Sequence, residues 1–278
     1  FWSATHQPTC VPLDGYEAIF SDAKAEFRGS RAKYESHLEI AISSEDDIEL
    51  RRLSICNRAR TERTIEITTY AEVVLAPALA DEMHPAFSNL FVQTRIVRGK
   101  QAILATRRER SHGEAQPWMF HLIAVHEADV EAISYETDRS RFIGRTRSLR
   151  RPRALVEDEA LGDTQGSVLD PIIAIRCRVR LKPDQSVRFD LVTGVAADPA
   201  ACMALIDKYR DRRLANRVFE LAWTQAQVVR RQINASQADA QLYERLAGLM
   251  VYANPLLRAR PAVLQQNRRG QSGLWGQA

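Results

Sequence analysis

The segment Asp81–Thr94, Asp-Glu-Met-His-Pro-Ala-Phe-Ser-Asn-Leu-Phe-Val-Gln-Thr, holds the side chains best suited to touching a ligand. His84, Phe87 and Phe91 could form a sugar platform, because an aromatic face stacks on the apolar face of a pyranose. The residues also admit a reading in which Phe87 and Phe91 anchor the loop to the core. A second cluster spans Arg139–Arg153, where seven arginines surround Phe142 and Gly144. Guanidinium grips phosphate bidentately, which makes Arg139 and Arg145 candidate anion contacts. The alternative there is a charged loop whose arginines pair with acids such as Asp138 and Glu157.

The other polar residues exclude more chemistry than they suggest. None of the six histidines is spaced as a helical metal pair, and His121 and His126 fall on opposite faces of an extended strand, so no metal site is expected. Gly-x-Ser-x-Gly, Walker and dinucleotide glycine patterns are missing. Two carboxylates flanking a glycosidic bond would mark a glycosidase. Acids occur at Glu45-Asp46-Asp47, Glu136/Asp138 and Glu157-Asp158-Glu159, but the first and last of these groups read as solvated turns. Cys10, Cys56, Cys177 and Cys202 form no Cys-x-x-Cys pair, which argues for a reducing, cytoplasmic compartment. A net charge of +4 permits an anionic ligand without demanding nucleic acid. No apolar run approaches the roughly 20 residues of a membrane span. The 278-residue chain begins at Phe1 rather than Met, and it reads as a fragment.

Strands dominate the first two thirds. His37–Ile42 alternates with Leu38, Ile40 and Ile42 on one face. Ile48 and Leu50 keep that even phase while Leu53 and Ile55 are odd, a switch that predicts a β-bulge or bend. Ile65–Leu75 alternates as one strand, and Trp118–Val125 is apolar on both faces apart from His121, as a strand between two layers would be. Ile173, Ile175, Cys177, Val179 and Leu181 form an inward row, with Arg176, Arg178 and Arg180 facing out. Lys182-Pro183-Asp184-Gln185 then predicts a hairpin into Val187, Phe189, Leu191 and Thr193. Strands joined by turns without intervening helices predict a mainly β, antiparallel sandwich.

Composition changes at Asp198-Pro199, an N-cap and first-turn pair opening a short helix over Ala200–Tyr209. Leu214, Val218, Leu221, Gln225 and Val229 trace one helical stripe; Leu242, Leu246, Leu249 and Met250 trace another, capped by Ser236 with Asp239 and ended by Asn254-Pro255. The expected layout is a β-sandwich over residues 1–197, a helical linker over 198–260 and a loop-like tail over 261–278.

Tyr70–Pro77 followed by His84–Thr94 resembles cyclic β-1,2-glucan synthases and, more broadly, the disaccharide and oligosaccharide phosphorylases of glycoside hydrolase family 94. Trp2-Ser3, Glu45–Asp47, Tyr135–Arg139 through Phe142–Arg145, Val168–Ile172 and Gly270–Trp275 continue the resemblance in family order. It implies a large N-terminal sandwich (a supersandwich), a helical linker, and then an α/α barrel holding the catalytic acid, whose threshold would be the tail with Trp275 as a further substrate contact. Trp275 is followed only by Gly276-Gln277-Ala278, where the family continues with Ile-Ser-Gly-Asp. No catalytic residue is therefore carried over. The resemblance implies a non-catalytic region of an enzyme that phosphorolyses β-1,2-glucosyl chains or controls their length, by inverting chemistry. Its co-substrate would be inorganic phosphate with no other cofactor, and its partners the missing barrel and a second subunit, in a soluble or inner-membrane-bound enzyme. A stand-alone carbohydrate-binding or assembly module is the alternative; nucleic acid binding is disfavoured.

Overall fold

Rows of apolar residues at period two build two antiparallel sheets. The computed structural model describes residues 1–109, 113, 116–251 and 260–266. The strands are β1 (Gly15–Phe20), β2 (Ala25–Arg31), β3 (Tyr34–Ile42), β4 (Ile48–Asn57), β5 (Arg63–Thr68), β6 (Ala71–Glu72) and β7 (Val92–Val97). They continue with β8 (Ala102–Arg107), β9 (Trp118–His126), β10 (Val130–Asp138), β11 (Gly166–Ser167), β12 (Pro171–Leu181) and β13 (Ser186–Ala196). The helices are α1 (Ala78–Met83), α2 (Pro85–Asn89), α3 (Arg139–Ile143), α4 (Arg153–Val156), α5 (Pro199–Arg210), α6 (Arg212–Gln232) and α7 (Gln237–Val251).

Nine strands form the large sheet, in the order β1-β2-β3-β4-β13-β9-β8-β7-β11. The small sheet is β10-β12-β5, with β6 also on β12. Between the two sheets lie Leu53, Ile55, Ile103, Ile123, Val187 and Phe189 from one side and Ile173, Ile175, Cys177 and Val179 from the other. A second core covers the opposite face of the large sheet. There Ile48, Leu50, Leu104, Phe120, Leu122 and Val192 meet Cys202, Ile206 and Tyr209 of α5 and Ala215 and Val218 of α6. Burial pushes the Cys177 thiol up to about 12 and Cys202 up to about 11, so both are inert packing groups.

Four expectations need correction. The phase switch in β4 is not a bulge: β3 and β4 stay in one unbroken register from Tyr34↔Asn57 to Ile42↔Glu49. Leu53 and Ile55 face the small sheet, whereas Ile48 and Leu50 face α5 and α6, so each end of the strand is buried on a different side. The Lys182–Gln185 turn closes no hairpin either. β12 pairs in the small sheet and β13 in the large one, so the turn carries the chain across the sandwich and both apolar rows point into one core. Ile65–Leu75 is not one strand but β5 and β6, interrupted at Thr69, whose N–H donates to Ile175 O of β12 while its hydroxyl, in place of its carbonyl, accepts from Ile175 N. In α6 the packing face is Ala215, Val218, Phe219 and Ala222, one position round from the stripe through Leu214 and Leu221.

Asp198 caps α5 by accepting from Ala201 N at 2.8 Å. Residues 228–278 form a separate unit from residues 1–227. In it Ser236 and Asp239 cap α7 reciprocally, Asp239 N donating to Ser236 Oγ and Ser236 N to Asp239 Oδ2. Asn254-Pro255 and residues 267–278 lie outside the described residues.

Gly194 of β13 is paired between Ile48 of β4 and Phe120 of β9. A Cβ there would lie 2.5 Å from Ile48 Cγ2 and 2.8 Å from the Phe120 ring. Gly194→Ala is expected to cost about 1–3 kcal/mol by overpacking, checked by urea unfolding; an unchanged midpoint would refute the tight fit.

Candidate functional site

The Asp81–Thr94 segment folds as two short helices rather than an extended loop. His84 ends α1 and begins α2, with an extended φ of −148° and Pro85 in the first position of α2. A proline here is favourable, since the first helical position needs no N–H. The His84 side chain makes no capping bond and is exposed.

The two phenylalanines have different jobs. Phe91 is half-buried, and the Arg107 and Arg108 guanidinium carbons lie 5.2 and 5.7 Å from its ring centre. Phe87 meets it edge-on, with centroids 5.3 Å apart at 75°, yet stays 51 % exposed. Phe91 is thus the residue that anchors the segment, and Phe87 is the one that presents its ring to solvent. Below them Arg107 Nη1 donates to Ser88 O at 2.8 Å and to Ser88 Oγ at 3.1 Å, which fixes α2 on the end of β8. Arg107 and Arg108 were not singled out from the sequence; an Arg-Arg pair at the end of a short apolar run was the available signal.

Arg139 is drawn to the same region, with both its partners negative. Its Nε donates to Glu72 Oε1 at 3.0 Å and its Nη1 to Asp170 Oδ2 at 3.4 Å, while Asn89 of α2 donates to Asp170 Oδ1 at 3.2 Å. The arrangement braces the α2 segment against β6 and β12 and already neutralises the guanidinium. Arg141 and Arg153 pair with Asp138 and Glu157. Arg145 is exposed and has no ion pair among the described residues. Phe142 of the same cluster is a core residue packed with Ile143, Leu161, Ile172 and Ala174. Trp275 lies outside the described residues.

The outward arginine row is only partly outward. Arg176 is buried, donating Nη1 to Glu159 O at 2.8 Å and Nη2 to Ala154 O. Arg178 pairs with Glu66 and Asp158, and Arg180 with Glu62 and Glu131. Nor is Glu45–Asp47 a free solvated turn. Glu45 takes two bonds from Arg217 of α6, at 2.7 and 3.1 Å, and Asp46 takes bonds from Lys208 and Tyr209 of α5 at 2.6 and 2.5 Å. Its acidity is the grip by which the sheet holds both helices.

A deeper ion pair reinforces that grip. Arg52 donates Nε to Asp190 Oδ1 at 2.7 Å and Nη2 to Oδ2 at 2.9 Å, reaches Asn216 of α6 with Nη1, and lies 5.0 Å over the Phe219 ring. Burial would raise the Asp190 carboxyl, but His126 and Arg52 outweigh it and hold it below the usual carboxylate range. His126 Nε2 is 3.3 Å away without the alignment of a hydrogen bond, so we assign most of the effect to Arg52.

Among the described residues, Glu26, His37 and Glu39 are the one group whose ligand atoms lie close enough to hold a metal, within 4.8 Å of one another. Lys24 Nζ already occupies that position, 2.6 Å from Glu39 and 3.0 Å from Glu26. No described helix is long and apolar enough to cross a membrane.

The sequence profile of the glycosyl hydrolase 94 supersandwich domain matches residues 1–212. The cyclic beta-(1,2)-glucan synthase NdvB of Rhizobium meliloti is 34 % identical over 275 residues, covering 99 % of this chain and 10 % of its own length. The chain therefore spans about a tenth of that relative. Among solved structures, a protein described as a kojibiose phosphorylase from human microbiome superposes with a TM-score of 0.44 at 6 % identity, over 76 % of this chain and 25 % of that one. An inverting mannosidase of family GH92 from Bacteroides thetaiotaomicron gives 0.29 at 7 % identity, over 77 % and 23 %.

Proposed function

The chain belongs to the glycosyl hydrolase 94 supersandwich family, and on that premise we propose that it is the non-catalytic sandwich-and-linker region of an enzyme acting on β-1,2-glucosyl chains. The observation that carries this reading is the identity to a cyclic glucan synthase along almost the whole chain. In the parent enzyme the reaction is inverting phosphorolysis or chain-length control with inorganic phosphate, and a barrel elsewhere supplies the catalytic acid. The parent works in the cytoplasm or at the inner face of its membrane, with a second subunit as a further partner. Residues 1–197 act as the sandwich, 198–260 as the linker, and Trp275 as a contact near the barrel.

The substrate-facing part is the α1–α2 segment. Phe87 offers a ring to a glucose face, and His84 offers a ring nitrogen to its hydroxyls. The exposure of Phe87 also favours a second reading, in which the sandwich binds glycan by itself as a carbohydrate-binding module.

Calorimetric titration with neutral β-1,2-gluco-oligosaccharides checks the platform. Phe87→Ala is expected to weaken binding roughly 5- to 30-fold, the effect of truncating an aromatic anchor. Tight binding by the chain alone selects the module reading. Should Phe87→Ala bind like the wild type, the platform is wrong. Release of glucose 1-phosphate from glucan and phosphate by this chain would overturn its assignment as non-catalytic.

A further inference from the structure

We propose that Arg107 and Arg108, gathered around Phe91, bind a phosphate-like oxyanion, either free or carried on a sugar. This inference rests on charge placement and does not depend on the glucan reading above.

Consecutive residues of a strand ordinarily point to opposite faces. Arg107 closes β8 and Arg108 follows it, yet both guanidinium carbons come within 6 Å of the same ring centre. Two like charges are thus held around one aromatic ring. Their hydrogen-bond partners are neutral oxygens: Ser88 O and Oγ for Arg107, and Leu90 O at 3.2 Å for Arg108. Neither has a carboxylate partner among the described residues, whereas Arg139, which reaches the same segment through Asp170 and Asn89, is paired with two carboxylates. The adjacent acid, Glu109, accepts from Gln116 Nε2 instead.

Arg107 is only 7 % exposed, so its position is fixed by packing. Arg108 is exposed. One buried, rigid guanidinium beside one accessible guanidinium suits an oxyanion. The pair supplies several N–H donors in planar forks and the positive charge that the ring and carbonyls only partly balance. Arg107 holds α2 through two bonds to Ser88. Arg108 adds one bond, to Leu90 O, and its exposed guanidinium keeps further N–H donors facing solvent beside the ring.

The experiment uses the full chain. Inorganic phosphate is titrated at constant ionic strength against chloride, reading the melting temperature and the arginine Nε–H resonances. Phosphate is expected to raise the melting temperature saturably and to shift the resonances of Arg107 and Arg108, whereas chloride does neither. Arg108→Gln should weaken phosphate about tenfold or more, the worth of one lost charge-assisted bond. Arg108→Lys, which keeps the charge without the fork, should fall between and covers the case in which the glutamine variant folds poorly. Glucose 6-phosphate separates the two sources: tighter binding that is lost in Phe87→Ala indicates a sugar-borne group, and equal binding indicates the free ion. Phosphate behaving like chloride, or Arg108→Gln binding phosphate like the wild type, would overturn the proposal.

Discussion

Asp190→Ala is expected to lower the unfolding free energy by about 3–5 kcal/mol, the range for removing one partner of a buried ion pair. Asp190 is fully buried and the Arg52 side chain is 9 % exposed, so the stranded guanidinium would have little water to turn to. Its remaining partners, Asn216 and the Phe219 ring, are neutral and sit on α6. The loss should therefore be felt at α6 before the distant strands, as faster hydrogen exchange in that helix. Replacing both charges, with Arg52→Met and Asp190→Leu together, is expected to recover much of the loss, because buried pairs are costly to break but replaceable. Urea denaturation of the single and double variants decides the matter. A cost below about 1 kcal/mol for Asp190→Ala would reduce the pair to the standing of a surface salt bridge.

That pair also shows where sequence periodicity stops being legible. Arg52 and Asp190 lie opposite each other on adjacent strands, 138 positions apart in the chain. In sequence Asp190 stands between Phe189 and Leu191 and Arg52 between Arg51 and Leu53, and each is easily taken for the solvent side of a strand. The alternation in β3 and β13 and the two-faced apolar run of β9 were readable, and so was the helical turn of composition after Asp198. What period two cannot say is which layer covers each face. A strand covered by a sheet at one end and by helices at the other looks like a strand with a phase error. For the same reason Lys182–Gln185 looked like a hairpin. The inward rows on either side of it were correct, but a row facing inward reads the same from either sheet.

The candidate site divides along similar lines. His84, Phe87 and Phe91 stood out because aromatic residues around a His-Pro corner are unusual in composition alone. The different burial of Phe87 and Phe91 was hidden, because a half-buried ring and an exposed one differ only in what lies beneath them. Arg107 and Arg108 supply that, from a strand that reaches Phe91 through the fold rather than through sequence proximity. The Arg139 cluster was visible as charge, but its neutralisation by Glu72 and Asp170 depends on β6 and the segment before β12 meeting there.

Acid is expected to destabilise the fold through His121, which burial, aided by Arg51, pushes down to about 4. The imidazole joins the two sheets, with Nδ1 2.8 Å from Thr193 Oγ1 in β13 and Nε2 3.0 Å from Thr69 Oγ1 beside the small sheet. Both ring nitrogens have a threonine hydroxyl as partner, so the neutral ring is fully hydrogen-bonded without a charge in this buried site. Above about pH 6.5 the ring is neutral in both folded and unfolded chains, so protonation has no influence on stability there. As pH falls below that value the unfolded chain takes up a proton that the folded chain refuses, and stability drops until the folded-state value near 4 is passed. The loss from this one group should reach about 3 kcal/mol by pH 4. His121→Gln can keep one donor and one acceptor between the two threonines without titrating. It is expected to be less stable than the wild type at neutral pH, and to lose correspondingly less between about pH 6.5 and 4. Unfolding free energies across that window give the answer. Parallel profiles for wild type and variant would mean that the buried imidazole does not control acid stability, and that the sheets are held at this point by packing alone.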